Sequence, residues 1–231
     1  MFRKSLVFAA TYNEYPNVRI LLEKINNLKL MLDILIIDDN SNDGTLSFLK
    51  NYPSKNFKLI VRKKKLGLDT AHKIAFQYAI NNKYNYLITM DADLSHEPKV
   101  IKKIINLLNF HSFVIGSRYI KGGKSDLKGI RFLVSYLGNV FIRYFLNINS
   151  HEFTTSYRGF NLSKLKKLDI KKIKSKGYSF FMETIFLINK LNIKIHEIPI
   201  HFQSRFSGES KIAKIEIFRT LYNVLRLKFF R

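Results

Sequence analysis

Over the first 116 residues, short apolar runs alternate with longer stretches whose apolar positions recur at helical spacing. The runs are 5–10 (SLVFAA), 34–37 (ILII), 57–61 (FKLIV), 86–90 (YLITM) and 113–115 (FVI). Their length and β-branched content predict strands. The stretches between them, 16–28, 42–50, 69–81 and 98–109, predict helices. In the last of these, Val100, Ile101, Ile104, Ile105 and Leu108 share a face, Lys99, Lys102 and Lys103 lie opposite, and Pro98 suits a first turn. Strand–helix alternation of this kind predicts an α/β fold: a mostly parallel sheet with helices on both faces.

The second half is less regular. Residues 130–147 and 177–191 read as apolar helices, 193–202 (IKIHEIPIHF) as a strand, and 212–230 as a last, amphipathic helix. Pro199 cannot donate to a ladder and so predicts an edge position. No repeat, low-complexity tract or linker interrupts the chain, which predicts one domain over 1–211 followed by the helical segment 212–231.

In open parallel sheets, ligands sit beyond the carboxyl ends of the strands. The polar clusters fall there. TYNE follows the first strand, DDNSNDGT the second, RKKKLG the third, DADLSH the fourth and GSRY the fifth.

Composition narrows the chemistry. Forty Lys and Arg against 17 Asp and Glu give a formal charge of +23, which favours phosphorylated substrates, an anionic membrane face or nucleic acid. The cations are spread along the chain and no nucleic-acid-binding signature appears, so specific nucleic-acid binding is not expected. The absence of Cys excludes disulfides and thiolate chemistry, and the six His show no metal-binding spacing. No stretch reaches the ~18 apolar residues of a membrane span. The expectation is a cytoplasmic protein, at most peripheral on the cytoplasmic face of a membrane.

In such a cationic chain, Asp91 and Asp93 at the end of a hydrophobic strand are conspicuous. Residues i and i+2 of an extended segment point the same way, which predicts that both carboxylates converge on one point. Two hard oxygen ligands suit Mg²⁺ or Mn²⁺ held jointly with substrate phosphates; the alternative is that they cap the following turn. Asp38, Asp39 and Ser41, after the second strand, are candidates to contact a nucleoside or, alternatively, to cap the next helix.

TYNE, IIDDNSNDGT, KKLGL, MDADLSHEP, GSRY, SKGYSFFMET and RFSGESK occur in this order between residues 11 and 211. Together they resemble the family 2 glycosyltransferases of the GT-A (Rossmann-like) fold, and within them the dolichyl- or polyprenyl-phosphate mannosyltransferases. The resemblance implies an inverting hexosyl transfer from a nucleotide sugar, GDP-mannose before a UDP-sugar, to a polyprenyl or dolichyl phosphate. An envelope polysaccharide is the alternative acceptor. It implies that Tyr12 and Glu14 hold the nucleotide end, that Ile37 and Asp39 line the nucleoside pocket, and that Asp91, Ala92 and Asp93 meet the diphosphate and the metal. Arg118 would meet donor or acceptor phosphate and, with Asp93, be catalytic. Arg205 and Lys211 would grip phosphate from a late loop. Two positions depart from the family: Ala10 stands where Pro is frequent, and Asp69 where glycine is usual. The chain resembles the short form of the group, which works alone or with a small membrane subunit.

A phosphate monoester acceptor explains why no general base is conspicuous. Its second pKa is ~6, so the nucleophile arrives ionised, and the problem becomes bringing two anions together. Arg118, Arg131, Arg205 and Lys211 are the candidate cations. The apolar stripe Ile215, Phe218, Leu221, Tyr222, Leu225 and Phe229, flanked by Lys and Arg, predicts that the last helix touches a membrane surface, with 130–147 as a second contact.

Overall fold

A computed structural model describes residues 4–204 and 215–230. In chain order its elements are β1 (Ser5–Thr11), α1 (Tyr15–Asn26), β2 (Asp33–Asp38), α2 (Thr45–Lys50), β3 (Phe57–Val61), α3 (Leu68–Asn81), β4 (Tyr86–Asp91) and α4 (Val100–Leu108). There follow β5 (Phe113–Ser117), β6 (Lys124–Ser125), α5 (Gly129–Leu146), β7 (Arg158–Asn161), α6 (Ser179–Lys190), β8 (Ile195–Pro199), β9 (His201–Phe202) and α7 (Ile215–Phe229). The main sheet has seven strands in the order β3-β2-β1-β4-β7-β5-β8. Only β7 runs antiparallel to its neighbours. β6 and β9 make a small second sheet.

Strand alternation divides the core. Leu6, Phe8, Leu35 and Ile37 face a layer built by α3 and α6, which also takes Ile142 of α5 and Val224 and Leu227 of α7. Val7, Ala9, Ile34 and Ile36 face the opposite layer of α1 and α4. With both faces covered, the central strands read as unbroken apolar runs. Each fully buried Leu or Ile contributes about 1.5–3 kcal/mol.

β7 was not anticipated. Its four residues, RGFN, carry no apolar alternation, yet all are buried. Gly159 is required there because a Cβ would collide with Ile104 of α4. Arg158, wholly buried, donates to the carbonyls of Phe153 (3.0 Å), Thr155 (2.8 Å) and Phe181 (2.8 Å). It thereby ties the 153–155 loop to α6. β8 lies at the sheet edge, where Pro199 needs no ladder donor.

His72 on α3 is caged by Phe8 (ring centroids 5.0 Å), Phe180 (5.6 Å) and Phe181 (4.9 Å). Burial, and then the nearby Arg158 charge, push its pKa down from 6.5 to about 3. The unfolded chain therefore binds a proton between those values that the folded chain refuses, so stability falls as pH drops below 6.5. His72→Phe is expected to flatten the dependence of unfolding free energy on pH between 6.5 and 4. An unchanged slope in urea titrations would contradict this.

Candidate active site

All five parallel strands that carry polar clusters deliver them to one edge, as the alternation predicted. Three non-glycine residues with left-handed backbone lie on that edge: Asn13 (φ 54°), Asn40 (φ 62°) and Leu94 (φ 65°). Asn tolerates this region. A Leu does so at a cost of roughly 1–2 kcal/mol, and such strain collects at functional sites.

The cluster beyond β1 and β2 is built from two loops bound to each other. Asp38 is wholly buried and accepts from Thr11 Oγ1 (2.9 Å), Ser41 N (2.9 Å) and Ser41 Oγ (2.6 Å). Asn13 N donates to Ser41 Oγ (2.8 Å), and Glu14 N to Thr45 Oγ1 (3.0 Å). Asp38 and Ser41 thus shape the loops, whereas Asp43, accepting from Thr45 N (3.0 Å) and Tyr15 N (3.1 Å), holds the start of α2. Asp39 is paired with Arg62 Nε and accepts from Leu66 N (3.3 Å). Arg62 also donates to Gly67 O (3.1 Å) and Thr70 Oγ1. Tyr12 carries Lys65 over its ring, 4.7 Å from the centroid. Glu14 accepts from Asn17 Nδ2. Alternation turns the Ile37 side chain into the core under α3.

The strand ends at Asp91, so the i, i+2 argument for Asp93 does not apply; a bend through Leu94 sets its direction instead. The Asp91 carboxylate is partly exposed and accepts from Ser156 Oγ (2.6 Å). Asp93 is buried, and its Oδ1 accepts from Ser95 N (3.0 Å) and Ser95 Oγ (2.6 Å), closing the turn. Ala92 packs into the core between them. His96, also buried, locks this segment. Its Nδ1 accepts from Asp91 N (3.1 Å), which leaves the proton on Nε2, facing Thr155 Oγ1 at 3.2 Å. Burial lowers its pKa, against the opposing pull of Asp91 and Asp93, and the ring stays neutral.

Arg118 is placed at the edge but is largely committed. Its Nε and Nη2 grip Glu152 at 2.7 and 2.8 Å, and Nη2 also reaches Thr154 Oγ1 (2.8 Å). Glu152 is fully buried. Burial would raise its pKa, but the Arg118 charge and hydrogen bonds outweigh this and hold it ionised. Its Oε1 also accepts from Thr154 N (3.1 Å) and Thr155 N (3.2 Å). Arg118 therefore organises the 152–156 loop, the loop that supplies Ser156 to Asp91 and Thr155 to His96. Arg131 is exposed at the start of α5. Arg205 and Lys211 lie outside the described residues.

Arg62, Glu152, Thr155 and Ser156 had not been singled out. Arg62 opens the quoted RKKKLG cluster, and 152–156 has no motif. Among the described residues no group of three or more His, Cys, Asp or Glu could hold a metal ion. The chain offers the carboxylates of Asp91 and Asp93, and these hard oxygens fit a small divalent cation whose remaining ligands come from phosphate and water.

Residues 6–169 match the family model described as Glycosyl transferase family 2. The chain is 31% identical over 224 residues to the undecaprenyl-phosphate mannosyltransferase of Micrococcus luteus, covering 96% of this chain and 92% of that protein. It is 29% identical to the polyprenol monophosphomannose synthase of Mycolicibacterium smegmatis, covering 96% and 86%. The fold matches glucosyl-3-phosphoglycerate synthase from Mycobacterium tuberculosis in complex with UDP (TM-score 0.71, 13% identity, 98% and 80% covered). It also matches mannosyl-3-phosphoglycerate synthase from Rubrobacter xylanophilus (TM-score 0.67, 14% identity, 97% and 72% covered). The sheet, the polar edge and these likenesses agree: the chain belongs to glycosyltransferase family 2 and has its GT-A architecture.

Proposed function

We propose that this protein transfers mannose from GDP-mannose to a polyprenyl phosphate, with inversion at the anomeric carbon. The observation that carries the reading is the carboxyl edge, where Asp91 and Asp93 stand beside the Asp39–Arg62 nucleotide cluster, together with similarity to two lipid-phosphate mannosyl enzymes across almost the whole chain. Tyr12, Glu14 and Asp39 hold the nucleoside end. Asp91 and Asp93 would hold Mg²⁺ or Mn²⁺, and an ion bound there would neutralise charge on the leaving diphosphate. One oxygen of the ionised lipid phosphate attacks C1 of the sugar, and the bond from C1 to the diphosphate breaks with its electron pair leaving on GDP. No proton is removed from the nucleophile. Arg118 shapes the site through Glu152, and Arg205 and Lys211 are assigned to phosphate. The test is a screen of purified protein with GDP-mannose, UDP-glucose and UDP-galactose against polyprenyl phosphate. Mannolipid from GDP-mannose alone is expected; turnover of a UDP-sugar alone would overturn the donor assignment.

We further infer that α5 and α7 rest on the membrane that holds the lipid. They pack side by side, with Phe145 and Phe229 rings 6.2 Å apart and Lys228 Nζ 5.8 Å from the Phe145 centroid. Only Asn139, Ile142 and Leu146 of α5 are buried, while Leu133, Leu137 and Tyr144 are exposed. On α7, Val224 and Leu227 face the core and Phe218, Tyr222 and Phe229 face outward. An apolar patch of this kind, rimmed by Arg131 and Lys228, fits the headgroup–acyl boundary of an anionic bilayer. No helix among the described residues is long and apolar enough to cross it. The triple variant F218S/Y222S/F229S is expected to lose binding to vesicles containing phosphatidylglycerol by about tenfold or more, each ring being worth about 1.5–3 kcal/mol when buried, with thermal stability unchanged. Undiminished cosedimentation would contradict the surface.

A further inference from the structure

Residues 173–177 lie in neither helix nor strand, yet they are held from three sides. Lys73 Nζ donates to Ile173 O (2.7 Å), and Asp69 Oδ1 accepts from Gly177 N (3.1 Å). Asp69 and Lys73 are one turn apart on α3 and so reach the two ends of the segment from one helix face. The middle is held by Glu183 of α6, wholly buried, which accepts from Lys174 N (3.2 Å) and from Ser175 N (2.8 Å) and Oγ. From α7, Arg226 Nη2 donates to Ser175 Oγ (2.9 Å) and Glu183 Oε2 (2.7 Å). A short irregular segment fastened this way is preorganised, not a spacer.

What the segment joins gives it meaning. Three residues before Asp69, Leu66 N bonds Asp39, and Gly67 O accepts from Arg62, which pairs with that same carboxylate. The Leu66–Gly67 turn that leads into α3 therefore adjoins the nucleotide side of the site, while Asp69 and Lys73 bond Gly177 and Ile173. Arg226 belongs to the helix whose outer face carries Phe218, Tyr222 and Phe229. A path of hydrogen bonds and covalent backbone thus runs from Asp39 through Leu66 and Asp69 to segment 173–177 and, by Arg226, to α7.

We propose that Asp69 and Lys73 are positioning residues that fix segment 173–177 as a strut, holding α7 in register with the nucleotide side of the site. This rests on the reading of α7 as the lipid-side helix. Lipid phosphate arriving from a membrane must meet the sugar at a set height above that surface. The strut sets this height, because α7 cannot shift along α6 without breaking the bonds from Arg226 to Ser175 and Glu183. An acceptor free in solution imposes no such demand.

The test has two arms. The first needs no activity. Hydrogen exchange at the Gly177 amide is expected to quicken about tenfold in D69A, the worth of one buried hydrogen bond, and to stay slow in D69N, whose side-chain oxygen still accepts. Unchanged exchange in D69A would overturn the bracket. The second arm compares polyprenyl phosphate in phosphatidylcholine–phosphatidylglycerol vesicles with a short, soluble isoprenyl phosphate. D69A and K73M are expected to raise KM for the vesicle-borne acceptor about tenfold while leaving the soluble one within about twofold, and D69N to restore both. An equal loss on both acceptors, or on neither, would overturn the register role. Wild-type protein that turns over neither acceptor would refute the proposed function instead, and the exchange arm would still decide the bracket.

Discussion

Asp93→Asn is expected to abolish transfer without unfolding the protein. The Asn side-chain oxygen still accepts from Ser95 N and Oγ, the two bonds that close the turn, and Asn serves such local caps about as well as Asp. What is lost is the negative charge beside Asp91. That charge would hold the divalent ion that counters the departing diphosphate, an effect worth several kcal/mol, or about 10³-fold in rate. Single-turnover rates should fall by that order with the melting temperature unmoved. Asp93→Ala should lose both activity and some stability, since it also opens the turn. Activity of Asp93→Asn within a few-fold of wild type would show that the carboxylate is only a turn former.

The Arg118–Glu152 pair should separate stability from activity. Both groups are buried, and removing one partner strands the other's charge, which costs about 3–5 kcal/mol. For a chain of this size that is a fall of roughly 10 °C in melting temperature. Replacing both with Met should recover part of the loss, because neither member of the pair is then left facing an absent partner, although Arg158 still loses the Glu152 charge nearby. Activity should not return. Without Glu152 Oε1 the amides of Thr154 and Thr155 lose their acceptor, and Ser156 and Thr155 no longer hold Asp91 and His96. Single and double variants read by calorimetry and by turnover check both halves. Recovery of turnover in the double variant would show that the loop needs neither charge.

The carboxyl edge was legible because it follows from alternation alone: once strands are parallel, every loop after a strand shares an edge. The fold class, the edge position of β8 and the exposed stripe on α7 follow from the same local patterns. Pairing across long separations was not legible. Asp39 and Arg62 lie 23 residues apart, Arg118 and Glu152 34, and Asp91 and Ser156 65. Each needs β7 inserted between β4 and β5 or the α3 loop folded onto β2. Residues 152–156 carry ordinary polar side chains whose meaning comes from β7, and β7 was hidden by its own Arg, Gly and Asn. The pairing of buried Glu183 with Arg226 was likewise illegible, because it depends on α7 packing on α6. Asp69, a departure from the family pattern, is accounted for by its bond to Gly177.

The central claim is that Asp91 and Asp93 jointly bind a divalent ion and a nucleoside diphosphate. A crystal soaked with Mn²⁺ and GDP tests it most directly, by anomalous scattering at the manganese edge. One anomalous peak is expected within coordination distance of both carboxylates and of the diphosphate oxygens. A crystal with GDP bound and no such peak, or with the ion on other residues, would contradict it.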